Sequence, residues 1–118
     1  MVAATGEEAV SGSTRLAAGT AQKAALGAIS TLMAARLGHV YQGRMVNLGA
    51  SNAKLRERAA GIVADLAGVS EESAEQALGR TRGSVKEAIL FAKGAHEPER
   101  LIALHGGDLG AALAALRQ

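Results

Sequence analysis

Cysteine and tryptophan are absent from this chain of 118 residues, and tyrosine, phenylalanine and proline occur once each. Without cysteine there are no disulfides, thiolate zinc sites or cysteine nucleophiles. The scarcity of aromatic rings removes the stacking platforms that single-stranded nucleic acid needs. It also thins the core. Burial must rely on Ala, Leu, Val, Ile and Met, so alanine-lined helices have to approach closely to gain contact. Charge of one sign is scarce too: the net charge is +2 with 20% charged residues. That is far from the dense basic stripe of a dedicated nucleic-acid binder, and no nucleic-acid partner is expected. No apolar run approaches the roughly 18 residues of a membrane span. The opening "MVAATGEEAV" lacks the basic head and apolar middle of a secretory signal. No membrane partner is expected, and a cytoplasmic location is the default.

What is present is a series of helices punctuated by glycine and hydroxyl residues, an all-α pattern with no good strand between its helices. The first helix is expected to begin between Ser13 and Thr20 and to end before Gly38, with Leu26, Ile29, Met33 and Leu37 along one face. Residues 38 to 50, "GHVYQGRMVNLGA", read as an ordered connector, briefly extended. A second helix follows the Ser51 or Asn52 cap, with Leu55, Ala59, Ile62, Val63 and Leu66 inward, and stops at Gly68. Ser70 opens a third helix, with Glu71 and Glu72 in its first turn, that finishes near Arg80. Gly83 and Ser84 break and recap the chain for a fourth, carrying Val85, Ala88, Ile89 and Phe91 and ending at Gly94. Pro98 suits the first turn of a fifth, and Gly106, Gly107 and the Asp108 cap lead into a sixth. The echo between "GSVKEAIL" and "GDLGAALA" reads as the shared punctuation of short helix-turn-helix units.

Residues 62 to 93, "IVADLAGVSEESAEQALGRTRGSVKEAILFAK", resemble the ubiquitin-associated three-helix fold. Its partner-anchoring loop corresponds to "AGV" at 67 to 69, where Ala67 and Val69 replace larger apolar residues. This favours a packing module over a ubiquitin reader. The segments "SGSTRL" at 11 to 16, "AGTAQK" at 18 to 23, "LGHVY" at 37 to 41 and "ASNAKLRER" at 50 to 58 resemble, in order, the C-terminal region of N-acetylmuramic acid 6-phosphate etherases. They are more distantly similar to glucokinase regulatory protein. The resemblance implies a lyase family that cleaves the D-lactyl ether of N-acetylmuramic acid 6-phosphate, giving N-acetylglucosamine 6-phosphate and D-lactate in cell-wall recycling. The reaction is elimination followed by water addition, with no metal or other cofactor. Its acid and base are glutamates of a preceding α/β sugar-phosphate domain that this chain lacks, so no catalytic residue is assigned here and Met1 is expected to mark a boundary rather than a natural start.

The expected division is residues 1 to 50, a loop and long helix that complete the sugar-phosphate domain, and residues 51 to 118, a helical bundle. Within the bundle, residues 52 to 93 form the ubiquitin-associated-like unit and a helical hairpin follows. Ser11, Ser13, Thr14, Arg15 and Thr20 are the candidate sugar-phosphate contacts, because a helix start offers unpaired N–H donors and a favourable field to an anion. The competing reading is that Ser13 or Thr20 only caps the helix. Glu8 matches the glutamate of the family's Gly-Pro-Glu turn, with Glu7 in place of the proline. Ala17 stands where the family commonly has lysine, which removes one cationic contact. His39, His96 and His105 show no metal-ligand spacing, and no metal is expected. Arg80, Arg82 and Lys86 make a small basic patch near Glu71, Glu72, Glu75 and Glu87 and read as a solvated face. Two function classes stay open: part of an etherase-type lyase that dimerises through the first helix, or a non-enzymatic protein-interaction module of ubiquitin-associated-like fold.

Overall fold

The computed structural model describes residues 2, 4–6 and 16–118. Among them are six α-helices and one two-stranded sheet, in the order α1 (Ala17–Arg36), β1 (Val40–Tyr41), β2 (Arg44–Met45), α2 (Ala53–Ala67), α3 (Glu71–Arg80), α4 (Val85–Ala92), α5 (Pro98–Leu104) and α6 (Leu109–Leu116). The chain divides into two compact units, Met1–Ala34 and Ala35–Gln118.

Alanine and other straight-chain residues carry α1, which has neither proline nor an acidic residue in its 20 positions. None of its residues is buried. Leu26, Ile29, Leu32 and Met33 lie 67%, 46%, 63% and 58% exposed, so the apolar stripe expected from spacing is on the surface. Thr20 and Thr31 turn their hydroxyls back onto the helix, donating to the Leu16 and Gly27 carbonyls at 2.8 Å each. Gly38, at φ +71°, follows the helix end in the left-handed conformation that glycine adopts without penalty.

The connector is ordered and briefly extended, as its sequence suggests. Val40 pairs with Met45 and Tyr41 with Arg44 in an antiparallel hairpin. Its two turn residues, Gln42 at φ 47° and Gly43 at φ 73°, supply the positive angles that a two-residue hairpin turn requires. Strands of two residues are too short to show alternation, which is why no strand is legible there. Val46 donates its N–H to the His39 carbonyl at 2.8 Å and buries its side chain completely. Leu48 to Ala50 then lie against the α3–α4 turn. Val85 donates to the Leu48 carbonyl at 3.3 Å and Ala50 to the Gly83 carbonyl at 3.2 Å, around a bridge between Gly49 and Ser84. The connector, grouped with the first helix in the sequence reading, therefore supplies core to the unit that begins at Ala35.

Capping fixes the later helices. Asn52 accepts from the Leu55 N–H at 2.9 Å to start α2, and Gly68 ends it at φ 70° with its N–H on the Ala64 carbonyl. Ser70 accepts from Ser73 to start α3, and Asp108 from Ala111 to start α6. Ser84 holds the cap position of α4 without a side-chain bond, and in the turn before it the buried Thr81 hydroxyl lies 2.9 Å from the Ala77 carbonyl and 3.2 Å from that of Ser84. Helices α2, α3 and α4 pack mutually, α5 packs on α4, and α6 packs on α4 and α5. Ala59, Ala74, Ala77, Ala88 and Ala112 sit at the contacts with essentially no exposure, the close approach that an aromatic-poor core demands. Ile89, Leu90, Leu109, Val63 and Val85 fill the centre. Each such side chain stabilises the fold by about 1.5–3 kcal/mol relative to exposure.

Candidate functional site

Ser11, Ser13, Thr14, Arg15 and Glu8, with Glu7, lie outside the described residues. Thr20 is described. It sits inside α1 rather than at its cap, exposed, with its hydroxyl proton committed to the Leu16 carbonyl. Its oxygen lone pairs remain able to accept. Ala17 is the first residue of α1.

The compact unit carries the remaining polar geometry. The "SNAKLRER" segment becomes the cap and first turns of α2, where Asn52 is spent on the Leu55 N–H while Lys54, Arg56 and Arg58 are exposed. Arg44, on the hairpin, pairs with Asp65 of α2 at 2.7 Å, with both side chains about half exposed. An open depression of about 290 Å³ lies beside this pair, lined by Gly43, Arg44, Met45, Arg58 and Ile62. The hairpin is thereby clamped alongside the basic face of α2.

The basic patch of Arg80, Arg82 and Lys86 is divided by the fold into three environments. Arg80 lies over the Phe91 ring, 5.6 Å from its centroid. Arg82 is exposed and holds φ +53°, a left-handed conformation uncommon outside glycine. Lys86 is buried, and its ammonium donates to the Gly107 carbonyl at 2.6 Å. Burial pushes the Lys86 ammonium below its usual range, and the nearby Asp108 carboxylate partly opposes this. Gly38 also approaches that turn. A Cβ added to it would stand 2.9 Å from the Gly107 oxygen and 3.0 Å from the Asp108 Cα.

Sequence reasoning missed the buried lysine, the Arg44–Asp65 clamp and the Gly38–Gly107 approach. Each joins residues distant along the chain, and no local pattern marks them. Among the described residues no group of His, Asp or Glu side chains is gathered to hold a metal ion, and no helix is long and apolar enough to cross a membrane. His105 holds the C-cap position of α5, while His39 lies beyond α1 and lends its carbonyl to the connector.

Comparison with known proteins places this geometry in context. Residues 42–90, from the hairpin turn through most of α4, match the family model described as the C-terminal lid domain of glucokinase regulatory protein. The chain is 47% identical over 114 residues to the N-acetylmuramic acid 6-phosphate etherase of Streptomyces coelicolor, covering 94% of this chain and 37% of that protein. It is 48% identical over 113 residues to the etherase of Streptomyces avermitilis, covering 93% and 36%. With the etherase of Deinococcus radiodurans the identity is 44% over 106 residues, covering 87% and 35%. The chain thus spans little more than a third of the length of the curated relatives it matches.

Proposed function

We propose that this chain, which matches N-acetylmuramic acid 6-phosphate etherases over most of its length, is the helical C-terminal portion of such a lyase. In that role it takes part in cleaving the D-lactyl ether of N-acetylmuramic acid 6-phosphate to N-acetylglucosamine 6-phosphate and D-lactate, in cytoplasmic recycling of cell-wall sugar. The observation that carries the reading is identity near one half across 94% of the chain. The lid-domain match supports a part that closes over a sugar-phosphate site instead of one that performs the chemistry.

The division of labour follows. Residues 5 to 20 contribute hydroxyls and Arg15 to the sugar phosphate, with Ser11, Ser13, Thr14, Glu8 and Thr20 as the contacts. The acid and base lie in the rest of the longer relatives, in a sugar-phosphate-binding domain. The exposed stripe of α1, with Leu26, Ile29 and Met33, pairs two copies of the chain. No metal or other cofactor enters this scheme.

A protein-interaction module of ubiquitin-associated-like fold is the competing reading. Its anchoring loop would be Ala67 to Val69, but Ala67 is buried, Gly68 closes α2 and Val69 is half-buried. That loop presents no large apolar anchor, so the etherase reading is preferred.

The test joins the chain to the remaining portion of the Streptomyces coelicolor relative and measures D-lactate release from N-acetylmuramic acid 6-phosphate. The fusion is expected to release D-lactate and the chain alone to release none. Release by the chain alone would overturn the placement of the acid and base, and an inactive but folded fusion would overturn the etherase reading. Amide NMR titration of the chain with N-acetylglucosamine 6-phosphate, against inorganic phosphate, reads the pocket separately. Sugar-specific saturable shifts confined to residues 5 to 20 support the assigned contacts, and their absence from the fusion as well would refute them.

A further inference from the structure

An open groove of about 640 Å³ lies between α2, α3 and the turn that joins α3 to α4. Its charged lining is Arg56 from α2, Glu75 from α3 and Arg82 from the turn, above Leu78, Gly79 and Gly83. The ion pairs among the described residues are Arg44–Asp65 and Arg100–Glu97, so none of these three side chains is held in an ion pair. The volume falls in the range of small-molecule sites.

Two backbone features shape the groove. Glu75 and Gly79 are one helical turn apart on the same face of α3, and the exposed Gly79 leaves the groove open beside the carboxylate. Three residues further along the chain, Arg82 is held at φ +53°, where glycine would sit without cost. The turn is anchored there, because the Gly83 carbonyl accepts from the Ala50 N–H and Gly83 packs against the Ala50 backbone. An arginine in this conformation costs about 1 kcal/mol relative to glycine, and the turn places its side chain at the groove.

Two cations and one anion around one space are complementary to a ligand with two anionic groups and one cationic group. Inorganic phosphate would satisfy the guanidinium groups but face the Glu75 carboxylate. A neutral sugar would leave all three charges unanswered. We infer that this groove binds an acidic α-amino acid, whose two carboxylates meet Arg56 and Arg82 and whose ammonium meets Glu75. Arginine forks match carboxylates in two-point hydrogen bonding, and charge-assisted bonds of this kind are the strong ones. The groove lies wholly within the unit that begins at Ala35, and the inference does not depend on the etherase reading.

The experiment is an amide NMR titration of the full chain with L-glutamate. Glutarate lacks the ammonium, L-alanine lacks the second carboxylate, and inorganic phosphate is a simple anion; these serve as comparison ligands. L-Glutamate is expected to give saturable shifts confined to Arg56 and residues 75 to 83, and each comparison ligand to bind about tenfold more weakly or worse. Arg82→Gly, which relieves backbone strain and so keeps the fold, is expected to weaken L-glutamate by about tenfold. Glu75→Gln is expected to remove the preference for L-glutamate over glutarate. Gly79→Leu, which fills the groove without touching a charge, is expected to abolish the shifts. Absence of saturation, phosphate binding as tightly as L-glutamate, or unchanged affinity in Arg82→Gly would each overturn the inference.

Discussion

Lys86 reaches from α4 to the turn between α5 and α6, where its ammonium donates to the Gly107 carbonyl at 2.6 Å. A partly buried charged group is thereby bonded to a backbone oxygen. Replacing it with methionine keeps the stem's packing and removes the charge, the bond and the desolvation cost together. Lys86→Met is expected to leave stability within about 1 kcal/mol of the native value at neutral pH, because desolvation outweighs the favourable contacts of the ammonium while the Gly107 carbonyl loses its donor. The pH dependence is more diagnostic. Burial lowers the Lys86 pKa from 10.5, so there is a window below that value in which the unfolded chain holds the proton and the folded chain has released it. Stability rises with pH wherever the unfolded state binds more protons. The native chain should therefore gain on Lys86→Met as pH climbs towards 10.5 in urea denaturation. A constant difference would show that Lys86 titrates like a free lysine.

Gly38→Ala tests the approach to the same turn. The added methyl would meet the Gly107 oxygen at 2.9 Å and the Asp108 Cα at 3.0 Å, from a residue at φ +71°. Both the left-handed backbone and the contact with rigid main chain oppose it, for an expected loss of about 2 kcal/mol or more. Gly43→Ala shares a positive φ but meets nothing within 4 Å, and should cost about half as much. Equal midpoint shifts for the two would remove the argument from close approach.

Arg82→Gly should have the opposite sign. Glycine holds φ +53° freely, so the expected gain is about 1 kcal/mol, reduced by the extra freedom glycine gives the unfolded chain. Thermal denaturation that shows a loss would mean that the Arg82 stem contributes more by packing than its backbone forfeits.

Ile29→Glu and Met33→Glu address self-association. Each places a carboxylate in the exposed apolar stripe of α1 without disturbing a buried residue. Light scattering should report monomers for both variants and a dimer for the native chain. An unchanged mass would move the subunit contact elsewhere.

The helices were legible because their punctuation is local. Asn52 and Gly68 bracket α2, Ser70 and its two glutamates open α3, and Asp108 opens α6, each within a few residues of the element it governs. The hairpin was not legible, since two-residue strands offer no alternation and Gln42 replaces the usual asparagine or glycine of such turns. Arg80, Arg82 and Lys86 looked equivalent in the sequence, yet one lies over a ring, one is exposed and one is buried. Neighbours in space decided this, and none of those neighbours is adjacent in the chain. The candidate sugar-phosphate contacts were read from resemblance and helix-terminus chemistry, and only Thr20 among them falls on a described residue.

The short seam between residues 48 to 50 and residues 83 to 85 bears on the order in which the unit assembles. Helices α2 and α3 are locally capped, so the contacts that fix their ends lie within a few residues along the chain. The seam brings together backbone from opposite ends of that pair and cannot close until both are in place, because the entropy of closing the intervening loop must be met before its few bonds give any return. The Val85 and Ala50 amides, whose partners lie across the seam, should accordingly be among the last to acquire protection in pulse-labelled refolding. The connector is, on this account, the final fastening of the bundle.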